Sequence, residues 1–312
     1  MQTANTLLMI EPVAFGFNVQ TAENNYFQQQ DSASTNVIQE NALQEFRQMT
    51  DTLKNNGIEV IIIQDTLEPH TPDSIFPNNW VSFHTGGTAV IYPMFAENRR
   101  LERRADILKI IENKKFIIQD TIDYSSSEKD GIFLEGTGSM VLDHESKTAY
   151  AALSERTHLK LLLQFCKDMR FTPCYFSANQ SVGTQRLPIY HTNVMMNIGD
   201  KYAVICLQSI DDKTEKDMVV KSLQANGKEI IEITEAQMHC FAGNMLQIEN
   251  NTGNKFLILS ETAYQSLSEM QIERLSAYSK LVPIAIPTIE KIGGGSVRCM
   301  MAEIFLQKNI KI

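Results

Sequence analysis

A short run of β-branched and aliphatic residues, each following a helix-like stretch, occurs five times in this chain. The runs lie at 58–63, 116–119, 171–176, 229–233 and 281–286. Between their middles, Val60, Ile117, Pro173, Ile231 and Ile284, the steps are 57, 56, 58 and 53 residues. A fixed period of this size marks stacked or radial supersecondary units. It also changes how functional residues are sought. Positions equivalent in different repeats can meet at a central axis although they lie far apart in sequence.

The third repeat illustrates the unit. Residues 131–142 read as an extended segment and 148–153 as a second strand. Leu159, Leu162, Leu163 and Phe165 then recur at helical spacing within 155–169, and the strand 171–176 follows. The order is β, β, α, β. The second repeat matches it with 80–83, 88–92, 97–113 and 116–119, and the fourth with 192–197, 202–207, 213–225 and 229–233. The fifth runs 244–248, 255–259, 265–280 and 281–286. The first is incomplete, with 7–10, a helix over 38–56 and the strand 58–63. Residues 297–305 are expected to complete it, so that one sheet takes strands from both ends of the chain. Such closure removes exposed sheet edges. An open α/β sheet with evenly spaced units is the alternative, and the doubled strand before each helix argues against it.

No linker rich in Pro, Ser or Gly separates the units, so residues 1–312 are expected to form a single α/β domain. The net charge is −9 with acids and bases interspersed, which offers no basic face to nucleic acid or anionic lipid. Residues 1–18 lack a basic n-region, and no stretch approaches the ~20 apolar residues of a membrane span. Five cysteines without CxxC spacing read as reduced thiols of a cytoplasmic protein.

At the start of each unit stand polar residues that a packed core would not select. They are Asn78 and Asn79 in the second, Glu135 in the third, His191 with Asn193 in the fourth, and Cys299 near the closing strand. The steps from 79 to 135 and from 135 to 191 are both 56 residues, one repeat each. A thiol, an imidazole and a carboxylate in one cleft make a nucleophile, a proton shuttle and an orienting anion. Cys166, Cys174 and Cys206 lie on apolar faces and read as small core residues. Cys240 adjoins His239, and neighbours in a strand point to opposite faces. Cys299 differs because Gly293-Gly294-Gly295-Ser296 precedes it. Glycines there permit tight turns and close approach of a ligand, and Gly295 is a candidate to line the site. A flexible hinge is the plain alternative for that run. No His/Asp/Glu cluster has metal-ligand spacing such as HExxH, so a metal is not expected.

The repeated units, Phe133-Leu134-Glu135-Gly136, His191-x-Asn193 and Gly-Gly-Gly-Ser-Val-Arg-Cys299 resemble the pentein superfamily of guanidine-modifying enzymes. That superfamily includes arginine and agmatine deiminases, dimethylarginine hydrolases and amidinotransferases. The resemblance covers essentially the whole chain. It implies a five-bladed α/β propeller of ββαβ units about a pseudo-fivefold axis, with a covalent Cys mechanism free of metal and organic cofactor. It also implies that Glu135 is the active-site glutamate, His191 the general acid/base and Cys299 the nucleophile. Ser154-Glu155-Arg156-Thr157 resembles the deiminase motif whose arginine holds the substrate α-carboxylate, which makes Arg156 a candidate for that task.

The chain also departs from the family pattern. Asn193 and Asn79 stand where family members acting on guanidinium commonly carry aspartates, and Gly138 stands where an acidic residue is often found. A guanidinium has only donors and a full charge, so a buried site needs carboxylates to hold it. A ureido group is neutral and offers an acceptor oxygen beside its N–H donors. The amides therefore favour citrulline, hydrolysed to ornithine, carbon dioxide and ammonia through Cys299. Glu135 is the counter-argument, since one carboxylate can serve a guanidinium. Arginine or agmatine deiminase, dimethylarginine hydrolase and amidinotransferase remain the alternatives. A non-catalytic binding propeller would be expected to lack Cys, His or Glu. The expected partner is a small amino-acid substrate, with no nucleic acid or membrane; homo-oligomer formation is left open.

Overall fold

The computed structural model describes residues 1–309 and has a mixed α/β fold. Among the described residues there are five three-stranded sheets, together with one two-stranded hairpin. In four of the five, two consecutive antiparallel strands are followed by a helical segment and a third strand parallel to the second. The sheets are Val81–His84, Thr88–Ile91 and Asp120–Asp123; Val141–Asp143, Thr148–Leu153 and Thr172–Ser177; Met196–Ile198, Tyr202–Ile205 and Glu229–Glu232; and Leu246–Glu249, Lys255–Ser260 and Lys280–Ile284. The fifth joins the two ends of the chain. Thr6–Glu11 runs parallel to Glu59–Gln64 and antiparallel to Ala302–Glu303, with Leu7 opposite Glu303.

Burial explains the sequence pattern of these strands. Middle strands such as Tyr202–Ile205 are covered on both faces and read as continuous apolar runs, whereas Thr172–Ser177 and Lys280–Ile284 alternate between buried and exposed residues. The covering helices bury one stripe. In Thr35–Asn55 that stripe is Ile38, Ala42, Phe46, Met49 and Leu53, at steps of three and four. Ser34 and Asp212 cap helices with their side chains, and Ser268 forms a capping box with Gln271.

Several expected boundaries move for identifiable reasons. Residues 116–119 do not form the second unit's third strand, which is Asp120–Asp123. Phe116 instead bridges to Lys308, and Ile117 N donates to Gln307 O at 2.9 Å, so the tail takes the apolar run. The expected helices 97–113 and 265–280 are each broken in two, the former at Arg103 and Arg104, the latter at Leu267 and Ser268. Residues 297–305 contribute only Ala302–Glu303 as strand, because 296–301 form a turn in which Cys299 N donates to Ser296 O at 3.0 Å. The extended starts read at 131–142 and 192–197 contain one-turn helices, Gly136–Ser139 and Thr192–Met195, ahead of short strands. The hairpin Asn179–Val182 with Gln185–Pro188 was not expected.

Those one-turn helices pack tightly against neighbouring units. A Cβ on Gly243 would lie 2.2 Å from Val194 O, so backbone meets backbone with no room for a side chain. Gly243→Ala is expected to lose about 3 kcal/mol of stability in denaturant unfolding. Gly16→Ala, with nothing within 4 Å of the added carbon, should stay within about 0.5 kcal/mol of the parent.

Candidate active site

Glu135 and His191 sit at the N-caps of the two one-turn helices, and Asn79 ends a 3-10 turn, Pro77–Asn79, that opens its own unit. The repeat therefore delivers side chains on turns just before the first strand, where backbone direction changes and a polar group can face a cleft. Gly138 makes the convergence possible. A Cβ there would meet Asn79 Nδ2 at 2.5 Å and His191 Nδ1 at 2.8 Å. The triglycine run is a helix end rather than a hinge. Pro287–Gly293 terminates at Gly294 in the left-handed region, at φ +62°.

Asn79, Arg156, His191, Gly295 and Cys299 line one pocket, joined there by Thr21, Asn25, Asp73 and Arg99. Cys299 is 4% exposed. Its Sγ accepts hydrogen bonds from Asn244 Nδ2 at 3.2 Å and Asn193 Nδ2 at 3.5 Å. His191 Nε2 donates to Glu135 Oε2 at 2.7 Å. The second oxygen of Glu135 accepts from Phe95 N at 2.8 Å, and Arg156 Nη1 lies 3.5 Å from the first.

This arrangement fixes the protonation states. Burial alone would raise the Glu135 carboxyl, but Arg156, His191 and Arg99 together outweigh it and bring the group down to about 2. Burial lowers His191 to about 4 in spite of its hydrogen bond to Glu135, with the charges of Arg156 and Arg99 adding to the fall. At neutral pH the pair is thus a carboxylate and a neutral imidazole. A thiol with amide donors on its sulfur, beside a neutral base held by a carboxylate, can attack a planar carbon and shuttle the proton of a leaving nitrogen.

Arg156 is 1% exposed, lies over the Tyr190 ring at 5.1 Å, and donates from Nε to Asn24 Oδ1 at 2.9 Å and from Nη2 to Thr21 O at 3.0 Å. Several site residues escape the sequence reading, Asn244, Asp73 and Arg99 among them. Asn244 occupies the fifth unit's counterpart of Glu135 and His191, and one further repeat step from His191 would have found it. Asp73 lies in an aperiodic segment; its Oδ2 accepts from Asn18 at 2.7 Å, and its Oδ1 has no partner among the described residues. Arg99 reads as one member of a charged helical face. It instead holds Glu102 through two hydrogen bonds, of 2.8 and 3.0 Å, and donates from Nη1 to Asn79 Oδ1 at 2.8 Å. Burial raises Glu102 to about 7 against the pull of Arg99. No group of three metal-ligating side chains occurs among the described residues, and no helix among them is long and apolar enough to cross a membrane.

Residues 11–306 match the family described as N,N dimethylarginine dimethylhydrolase, eukaryotic. The chain belongs to that family, within the pentein superfamily, and is a hydrolase of non-peptide C–N bonds. No curated protein sequence matches it. Among solved structures, it is similar to the N-terminal domain of ArgZ bound to substrate, described as an arginine dihydrolase from the ornithine-ammonia cycle in cyanobacteria. The TM-score is 0.73 at 16% identity, over 96% of this chain and 97% of that one. AgrE in a ternary complex with ornithine and NAD+ gives 0.73 at 15% identity, over 98% of this chain and 40% of that one. A dimethylarginine dimethylaminohydrolase carrying an adduct of S-methyl-L-thiocitrulline gives 0.64 at 14%, over 96% and 100%. At these identities the likeness is one of fold.

Because burial keeps His191 neutral above about pH 4, an NMR titration of its imidazole in the unliganded protein should have its midpoint near 4. A midpoint between 6 and 7 would mean that burial does not govern this imidazole.

Proposed function

We propose that this protein is a cysteine-dependent ureidohydrolase that converts citrulline to ornithine, carbon dioxide and ammonia. The reading takes the five sheets as blades of a single propeller domain about a pseudo-fivefold axis. Their shared strand order supports it, as does the bridge from Phe83 to Ile304 between neighbouring sheets. Cys299 Sγ attacks the ureido carbon. His191 passes a proton to the departing nitrogen, and the thiocarbamate left on sulfur is hydrolysed by water that His191 activates. Carbamate released in this step loses carbon dioxide. Glu135 holds the imidazole and steadies its charge. Arg156 binds the α-carboxylate, and the open oxygen of Asp73 accepts from the α-ammonium. Gly295 keeps the wall beside Cys299 free of a side chain.

The observation that carries the substrate assignment is the orientation of Asn79. An arginine offers only donors, so the bond to Arg99, which itself lines the pocket, fixes Oδ1 as the bonded end of Asn79 and leaves Nδ2, beside Gly138, as the other end. That Nδ2 has no partner among the described residues, and neither has Asn193 Oδ1. One buried donor and one buried acceptor match the oxygen and the N–H groups of a ureido group, whereas a guanidinium leaves the donor unanswered. In a second reading, an arginine dihydrolase that processes both groups in turn, the open Asp73 carboxylate oxygen in the same pocket holds the guanidinium instead of the α-ammonium.

Steady-state rates on citrulline, arginine, agmatine and dimethylarginine, followed by ornithine, citrulline and ammonia release, test the assignment. Citrulline should be turned over with the highest kcat/KM. Arginine tenfold better than citrulline, a difference of about 1.4 kcal/mol, would overturn it. Asn79→Asp removes the donor and should lower kcat/KM for citrulline about 100-fold or more while shifting preference toward arginine. Cys299→Ser should lower kcat by at least about 10³-fold with the fold intact.

A further inference from the structure

A thiol has a reference pKa near ~8.5, so a nucleophilic cysteine needs help to ionise at neutral pH. Two sources are usual: an imidazolium beside it, or a cationic substrate. Neither is on offer here. His191 is neutral, and among the described residues it makes no hydrogen bond to Sγ. On the reading proposed above, the substrate is neutral at its reacting end as well. The groups that do meet the sulfur are two side-chain amides.

Asn244 is the nearer of the two and the better anchored. It is fully buried. Its Nδ2 donates to Cys299 Sγ at 3.2 Å and to Asn193 O at 3.1 Å, while its Oδ1 accepts from Arg298 N at 3.1 Å. The three bonds tie the sulfur, the residue before it, and the neighbouring unit to one amide. The Oδ1 bond to a backbone N–H also fixes which end of the amide faces the sulfur. The backbone that carries Asn244 is held in turn. Gly243 packs against Val194 with no space for a Cβ, and Phe241 takes a left-handed φ of 62° while its ring lies 5.3 Å from that of Phe27. A non-glycine residue in that region is uncommon and persists where its surroundings fix it.

We infer that Asn244 is a catalytic residue: its Nδ2–H stabilises the Cys299 thiolate in the free enzyme, so that nucleophile activation comes from amide donors and not from His191. A hydrogen bond to the charged form favours that form, and a donor already aimed at the sulfur needs no rearrangement when charge appears. His191, neutral in the free enzyme, then takes up a proton from solvent as the substrate binds, with Glu135 to steady it. It gives that proton to the departing nitrogen and recovers one from the attacking water.

The test is alkylation of Cys299 by iodoacetamide in the unliganded protein, followed by peptide mapping to separate it from the half-buried Cys240. Asn244→Ala and Asn244→Asp should both react at least tenfold more slowly at pH 7, with the deficit narrowing as rising pH ionises the thiol of the variants as well. Asn244→Asp keeps an acceptor for Arg298 N, and so remains informative if the alanine variant does not fold. His191→Ala, though inactive in turnover, should alkylate within threefold of the parent. The inference fails if Asn244→Asp reacts within threefold of the parent at pH 7, or if His191→Ala is slowed tenfold. No substrate is present in this assay, so a preference for arginine over citrulline would leave its outcome unchanged.

Discussion

Arg99 Nη1 donates to Asn79 Oδ1 at 2.8 Å, with Arg99 itself gripped by Glu102 through two further hydrogen bonds. A guanidinium keeps its proton in any protein environment, so it can only donate. The amide beside it is therefore left with its nitrogen as the end without a partner among the described residues. Much of the proposed selectivity follows from this one polarity. An amide alone is ambiguous, since its two ends can exchange roles; an amide locked by an arginine is a committed donor. On the sulfur side the same logic runs through Asn193, whose Nδ2 faces Cys299 and whose Oδ1 is left as the acceptor.

Burial gives these polarities their weight. Glu135, His191, Asn79, Asn193 and Arg156 are all less than 4% exposed, so an unanswered donor or charge in the pocket cannot be rescued by bulk water. The same burial holds His191 neutral, and Arg156, His191 and Arg99 together offset it to keep Glu135 ionised. The site is thus a set of mutually dependent groups, supplied by turns that open separate units. Tight backbone contacts at Gly243 and Gly136 (whose added Cβ would lie 2.4 Å from Asn78 O) hold those turns in register.

The repeat was legible because each unit spends its middle strand and helix on burial, and apolar runs at a regular interval survive in any reading of the sequence. Glu135, His191 and Cys299 were legible by register and motif. Asn244 shares that register, but a lone Asn between Gly243 and Met245 carries no chemical signal of its own. Arg99 was hidden because an arginine in a charged run normally faces solvent, and only three-dimensional packing turns it inward. Thr21, Asn24, Asn25 and Asp73 come from irregular stretches that have no period to read. The boundaries that moved, at 116–119 and 297–305, did so where a tail or a turn competed with a strand for the same apolar residues.

Acid-quenched intact-mass analysis of the enzyme during turnover tests the covalent account most directly. With citrulline, a carbonyl-linked adduct should accumulate on Cys299, corresponding to citrulline less ammonia or to a carbamoyl group alone, and Cys299→Ser should carry none. Turnover of citrulline with no adduct at any quench time, or with an adduct that persists in Cys299→Ser, would contradict it.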